Sequence, residues 1–249
     1  MSLLVLRQVS KRFGSLVAVD DLSLAVPPGE VHAFLGPNGA GKTTTMRMIV
    51  GLLQPDAGEI LVDGCDAVRD GQAARRVLAY VPDEPYLFER LTGREFLDFT
   101  ARVYGLDRAT FAERLRECDD LFHLSGFWDR LAEGYSHGQR QRVVLAAAWL
   151  HRPRLLIVDE PLVGLDPRHI RITLDLFRAL ARDGGAVLMS THTLSTVEAS
   201  CDRVSVINHG RIIAQGTVAE LSAGGDLEAR FLEMTEGAPP LSAAAPPPA

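Results

Sequence analysis

No stretch of the 249-residue chain approaches the roughly 18 consecutive apolar residues that a membrane-crossing helix needs. The amino terminus, MSLLVLRQVSKRF, carries only a short apolar run, too brief for the core of a secretory signal. Cysteine is scarce. Cys65, Cys118 and Cys201 lie far apart with no Cys-x-x-Cys spacing, which argues against a disulfide framework and reads as buried or free thiols in a reducing compartment. Basic residues are outnumbered, 26 Lys and Arg against 32 Asp and Glu for a net charge of -6, and no basic run stands out. Nucleic acid, whose backbone is bound through clustered cations, is therefore not expected as a partner. No internal repeat is present, and low complexity is confined to the Ala/Pro-rich end, residues 235–249, which is too poor in packable side chains to order itself. A soluble, cytoplasmic protein is expected.

What remains is a packed α/β pattern. Hydrophobic residues make up 47% of the chain and charged ones 23%, close to the values of ordinary globular domains, so a disordered class is excluded for most of the length. Residues 3–9, 16–26 and 31–35 read as short strands between turn residues. The third, VHAFL, runs straight into GPNGAGKTTT and then MRMIVGLL, in the order strand, loop, helix. Between about 92 and 145 helical signals take over. Thr92 with Glu95, and Thr110 with Glu113, fit the capping box; Phe96, Phe99 and Val103 follow helical spacing, and Gly105 stops that helix. This block reads as a helical subdomain inserted into the α/β core. From 155 the α/β pattern resumes with LLIVDE, an amphipathic helix over 170–182, the buried strand AVLMS, and a hairpin turning at Asn208-His209-Gly210.

GPNGAGKTT, residues 36–44, matches the phosphate-cradling pattern G-x-x-x-x-G-K-S/T. Gly36, Gly39 and Gly41 let backbone N–H groups approach phosphate oxygens, with Asn38, Ala40 and Thr44 completing the loop and its helix start. Lys42 suits the β- and γ-phosphates, and the Thr43 hydroxyl suits Mg²⁺. ATP and Mg²⁺ are thus the expected cofactors. Asp159 and Glu160 end an apolar strand at the carboxyl edge where open α/β sheets bind ligands; Asp159 suits the metal side and Glu160 the polarisation of a water. YSHGQRQR, residues 135–142, opens another helix, with Ser136 and Gln139 at capping-box spacing. It is a second anion site. Since one triphosphate is already well supplied by the first loop, the second suggests that two chains share each nucleotide.

The order GPNGAGKT, YVPDEP, YSHGQRQR, LLIVDEP, GLDP, THT resembles the ATP-binding-cassette (ABC) ATPases over residues 1 to 234. The resemblance implies a P-loop NTPase (RecA-like) core, residues 1–88 and 146–223, with a small antiparallel β subdomain, and a helical subdomain at 89–145. It implies that Phe13 stacks on adenine and that Ser136, Gly138 and Gln139 meet the γ-phosphate held by an opposite subunit. It also implies that Asp166 lines the dimer interface and that His192 contacts the γ-phosphate. By composition alone Phe13 fits a core aromatic equally well. Three positions depart from the family pattern: Tyr135 and His137 stand where Leu and Gly are usual, and Asp83 where Gln is usual, so Asp83 is either a metal-side carboxylate or a plain loop residue.

LFERLTGREFLDFTARVYGL further resembles the exporter-type (drug, polysaccharide or heme) ATPases that pair with separate membrane permeases. That implies an ATPase on the inner membrane face, a homodimer or paired ATPase subunit, with Tyr86, Leu87 and Phe88 as candidate permease contacts. An ABC ATPase of a soluble assembly, serving repair, translation or metal-cluster biogenesis, is the alternative.

Overall fold

The computed structural model describes residues 2–222 and 227–236. Two sheets organise it. An antiparallel sheet in the order β2-β1-β4-β5 is built from β1 (Leu4–Phe13), β2 (Leu16–Val26), β4 (Ala57–Val62) and β5 (Cys65–Asp66). A six-stranded sheet in the order β10-β9-β3-β8-β7-β6 uses β3 (Glu30–Leu35), β6 (Leu78–Val81), β7 (Leu155–Asp159), β8 (Ala186–Thr191), β9 (Arg203–Asn208) and β10 (Arg211–Thr217). All its pairings are parallel except the β9–β10 hairpin at one edge.

The central strands read as unbroken apolar runs because both faces are covered. Successive side chains point to opposite faces, so β7 sends Leu155 and Ile157 into one core and Leu156 and Val158 into the other. The first core is shared with the antiparallel sheet and with α1 (Lys42–Ile49), through Leu6, Ile60 and Met46. The second joins α5 (His137–Trp149) and α6 (Pro167–Arg182) to the end of α4 (Arg108–Phe122) and the segment that follows it, through Phe122, Phe127 and Trp128. The remaining helices are α2 (Gly71–Val77), α3 (Gly93–Val103), α7 (Leu194–Ser200), α8 (Val218–Ser222) and α9 (Leu227–Glu236). Among the described residues no helix is long and apolar enough to cross a membrane. Helix α9 runs past the expected start of the tail at 235; residues 237–249 of that tail lie outside the described residues.

Local chemistry sets the helix ends. Thr92 and Glu95 form the expected reciprocal capping box on α3, and Gly105, at φ +73°, follows its end. The expected box at Thr110 and Glu113 does not cap α4. Asp107 does so instead, its Oδ1 accepting from the backbone N–H groups of Ala109 and Thr110, both at 2.9 Å, and Thr110 lies inside the helix. On α3 the Phe96, Phe99 and Val103 stripe is not the buried face: Gly93, Leu97 and Ala101 pack inward, while Phe99 and Val103 are exposed. Helix α5 buries seven of its thirteen residues, Gln141 and six apolar side chains, and runs unbroken through the expected subdomain boundary at 145/146.

Candidate active site

The parallel strands bring separated segments to one sheet edge. The loop after β3, Asp83 after β6, Asp159 and Glu160 at the end of β7 and His192 after β8 all follow the carboxyl ends of neighbouring strands. A cleft of about 330 Å³ lies there, lined by Phe13, Leu16, Val17 and Ala18 at one end, the loop 37–44 along its floor, and Asp83, Asp159 and Glu160 at the other. Phe13 is 49% exposed, which excludes the core-aromatic reading and leaves its ring at the mouth of the cleft, with the Lys11 ammonium 5.8 Å from its centroid.

The loop's glycines answer two demands. A Cβ on Gly36 would lie 2.3 Å from the Ile207 carbonyl oxygen, and Gly41, which opens α1, sits at φ +107° with Ala18 O 2.5 Å from where a Cβ would be. No other residue fits either place. Lys42 is only 7% exposed, and its Nζ donates to the carbonyls of Gly36 at 2.6 Å and Pro37 at 3.2 Å. Burial holds its pKa below the ordinary lysine value, partly offset by the negative charge of Glu160, Asp159 and Asp83.

Around Asp159 the hydroxyls are arranged in a chain. Thr43 Oγ1 donates to Asp159 Oδ2 at 2.7 Å, Ser190 Oγ donates to Asp159 Oδ1, and the Glu160 N–H donates to Ser190 Oγ at 3.1 Å. Asp159 itself is fully buried, a placement tolerable for a carboxylate only with such partners. Glu160 lies just beyond the strand at φ +46°, a conformation costing about 1–3 kcal/mol for a residue with a Cβ. His192 Nδ1 meets Glu160 Oε1 at 2.9 Å, which fixes the direction of that carboxylate. Asp83's carboxyl is held above its ordinary value, first by loss of water and then by the Asp159 and Glu84 charges, with His137 and His192 pulling the other way.

Ser136 caps α5 as expected: its Oγ accepts from Gln139 N–H at 3.3 Å, and Gln139 Oε1 accepts from Ser136 N–H at 3.0 Å. Neither Ser136, Gly138 nor Gln139 lines the cleft of the same chain. The Ser136 helix tip therefore forms no part of the cleft wall of its own chain, although His137 beside it acts electrostatically on Asp83.

The ABC transporter family model matches residues 19–163, more than half of the chain. The chain belongs to that family. Its relatives include the daunorubicin/doxorubicin resistance ATP-binding protein DrrA of Streptomyces peucetius, 42% identical over 86% of this chain and 64% of that protein's length. The ABC-type transporter ATP-binding protein EcsA of Bacillus subtilis is 35% identical over 89% of this chain and 90% of its own. The solved ATP-binding subunit of an ABC transporter superposes with a TM-score of 0.89 at 34% identity, covering 94% of this chain and 99% of that one.

As an ABC ATP-binding subunit the chain binds and hydrolyses ATP. Two features of this ABC subunit escaped the reading of its sequence. Tyr135, where the family usually has Leu, is a buried pin: its hydroxyl accepts from the Gly93 N–H at 2.9 Å and donates to Arg130 O at 3.0 Å, tying the start of α3 to the segment that leads into α5. Ser190, which bridges Asp159 to the Glu160 backbone, reads in the sequence only as the end of an apolar strand; its one signal is a hydroxyl at the same sheet edge as the acidic pair. Asp166 also has a local task, because its Oδ1 caps α6 by accepting from Arg168 and His169 N–H, and its Oδ2 meets His169 Nδ1 at 2.7 Å.

Proposed function

We propose that two copies of this chain, or one copy and a paired ATPase subunit, close around two Mg·ATP molecules, hydrolyse them and separate, and so drive a membrane permease on whose inner face they sit. The observation that carries this reading is the separation of the Lys42 cleft from the Ser136 helix tip within one chain. A tip with free donors and no nucleotide of its own is suited to one presented by a partner.

Within the cleft, the backbone N–H groups of the loop and Lys42 hold the β- and γ-phosphates, and Phe13 stacks on the base. Glu160 accepts a proton from the water that attacks the γ-phosphorus as the bond to the β-phosphate oxygen breaks. His192 orients Glu160 and approaches the γ-phosphate. Thr43 and Asp159 supply hard oxygen donors side by side, the set suited to Mg²⁺, and Asp83 stands close enough to influence it. Among the described residues no three His, Cys, Asp or Glu side chains form a metal cage, which suits an ion that takes much of its coordination from phosphate and water. When bound, Mg²⁺ neutralises phosphate charge.

The permease contact is assigned to the surface between the Asp83 loop and α3, on the side of the helical block that begins near residue 89. Tyr86 and Phe88 stack edge-on at 5.7 Å, and Phe88 reaches Phe99 at 5.8 Å, giving an exposed aromatic cluster suited to an apolar segment. Leu87, expected beside them, is withdrawn: it is 1% exposed and belongs to the core. Export is the reading favoured by the likeness to the drug-resistance protein.

Glu160→Gln tests the core of this reading. Nucleotide binding should persist, turnover should fall by roughly 10²–10⁴, and an ATP-stabilised dimer should accumulate on gel filtration. Wild-type turnover in this variant would remove Glu160 from the base role.

A further inference from the structure

Five positions beyond Ser136, on the helix it caps, Gln141 is 1% exposed and is the polar member of the buried set of α5, the others being apolar. Its Nε2 donates to the carbonyl of Pro161 at 3.0 Å, and its Oε1 is buried without a hydrogen-bond partner. The orientation of the amide is forced, since a carbonyl can only accept. Proline has no N–H, so that carbonyl is the one backbone group by which residue 161 can be held through a hydrogen bond. Pro161 immediately follows Glu160, whose backbone is in the left-handed region. The Glu160 N–H is tied to Ser190 at 3.1 Å, the Glu160 carbonyl accepts from Val163 N–H at 3.3 Å, and Gln141 secures the next carbonyl. The strained peptide is thus held on three sides, and one of the three holds comes from α5.

An apolar side chain would fill this place and avoid the orphan Oε1 but would leave the Pro161 carbonyl without its donor, so the feature that sets the amide apart from a packing residue is its hold on residue 161. We propose that Gln141 is a positioning residue that couples the serine-capped end of α5 to the catalytic glutamate of the same chain. It rests on the reading above, in which that helix tip meets the nucleotide of the opposite copy. Ser136 of one chain then senses one ATP, while Glu160 of that chain serves the other. A helix moves as a rod, and a shift of its tip is carried to Pro161 about 7.5 Å along the axis. The consequence is communication: phosphate seated at one site sets the geometry of the base at the second.

Gln141→Met and Gln141→Leu test this by removing the donor while keeping an apolar side chain of similar reach or bulk. Each loses the orphan Oε1 and frees the Pro161 carbonyl, one unpaired acceptor exchanged for another, so melting temperatures should stay close to wild type. The expected result is a kcat reduced by about 10- to 10²-fold, as for a slightly misplaced catalytic group, with KM for ATP and affinity for a fluorescent ATP analogue within about twofold. The Hill coefficient for ATP should fall to 1 from a wild-type value between 1 and about 2. A folded variant with wild-type kcat overturns the proposal, as does a rise in KM alone. So does a hyperbolic ATP dependence of the unmodified protein, a measurement that needs no variant. Full turnover in Glu160→Gln would instead overturn the parent reading, whereas an inactive Glu160→Gln beside a fully active Gln141→Met removes only this inference.

Discussion

Acid should loosen this protein through His151, and the size of the effect can be worked out. The imidazole stacks on Tyr104 with centroids 3.6 Å apart and planes within 8°, so it joins the end of α3 to the segment after α5. Its Nε2 donates to the Leu78 carbonyl at 3.2 Å, where β6 begins, and its Nδ1 is buried without a partner. That arrangement suits only the neutral ring. Loss of water, which outweighs the help of the Leu78 carbonyl, brings its pKa down from 6.5 to about 4. In the unfolded chain the ring titrates near its ordinary value, about 6.5.

The folded-state value is therefore the lower one. As pH falls below about 6.5 the unfolded chain takes up a proton that the folded chain refuses, and stability declines until the folded ring titrates near pH 4. Above about pH 6.5 the contribution is fully present. At about 1.4 kcal/mol per pH unit the full loss is on the order of 3 kcal/mol, and about 2 kcal/mol of it falls between about pH 7 and pH 5.

The assay is urea unfolding of the wild type and of His151→Phe at about pH 7.5 and about pH 5. Phenylalanine keeps a ring against Tyr104 and cannot titrate. It forfeits the bond to Leu78, so the variant should start about 1 kcal/mol less stable at neutral pH. The gap should then close or invert at pH 5, because carboxylate contributions are common to both proteins and cancel in the difference. Parallel pH profiles would refute the assignment of acid sensitivity to this ring.

Two further outcomes concern the nucleotide. Asp83→Gln removes a carboxylate that stands beside Asp159 and Glu84 and repels phosphate; Mg·ATP should bind roughly 3- to 10-fold more tightly in a fluorescence titration, and weaker binding would contradict the repulsive reading. Ser136→Arg should spare ATP binding by the single chain and abolish the ATP-dependent dimer in light scattering, whereas an unaffected dimer would sink the shared-nucleotide arrangement.

Features dictated by neighbouring residues and features that need the folded chain divide along the range of the interactions involved. The phosphate loop was legible because its requirements are local: Gly41 must take a positive φ, Gly36 must let the Ile207 carbonyl approach, and Lys42 follows at once on the helix start. The Ser136 and Thr92 caps were legible for the same reason, since each closes a ring within four residues. At α4 the same logic met two competitors of similar chemistry, and Asp107 won over Thr110 because the chain leaves the helix path three residues earlier. Within Tyr86-Leu87-Phe88 no periodicity exists to say which side chain turns inward, and only packing against the second core decided for Leu87.

The acidic pair and the serine-capped helix were determined by the chain's own local code, so their chemistry could be named from the residues alone. The links between them could not. Ser190 to Asp159 and Gln141 to Pro161 join residues 31 and 20 positions apart. Such contacts depend on strand order and helix placement, which are settled by how two cores fill on opposite faces of one sheet. Short-range hydrogen bonds and backbone dihedrals are written into neighbouring residues; the reach of a buried side chain is set by the whole packed assembly around it.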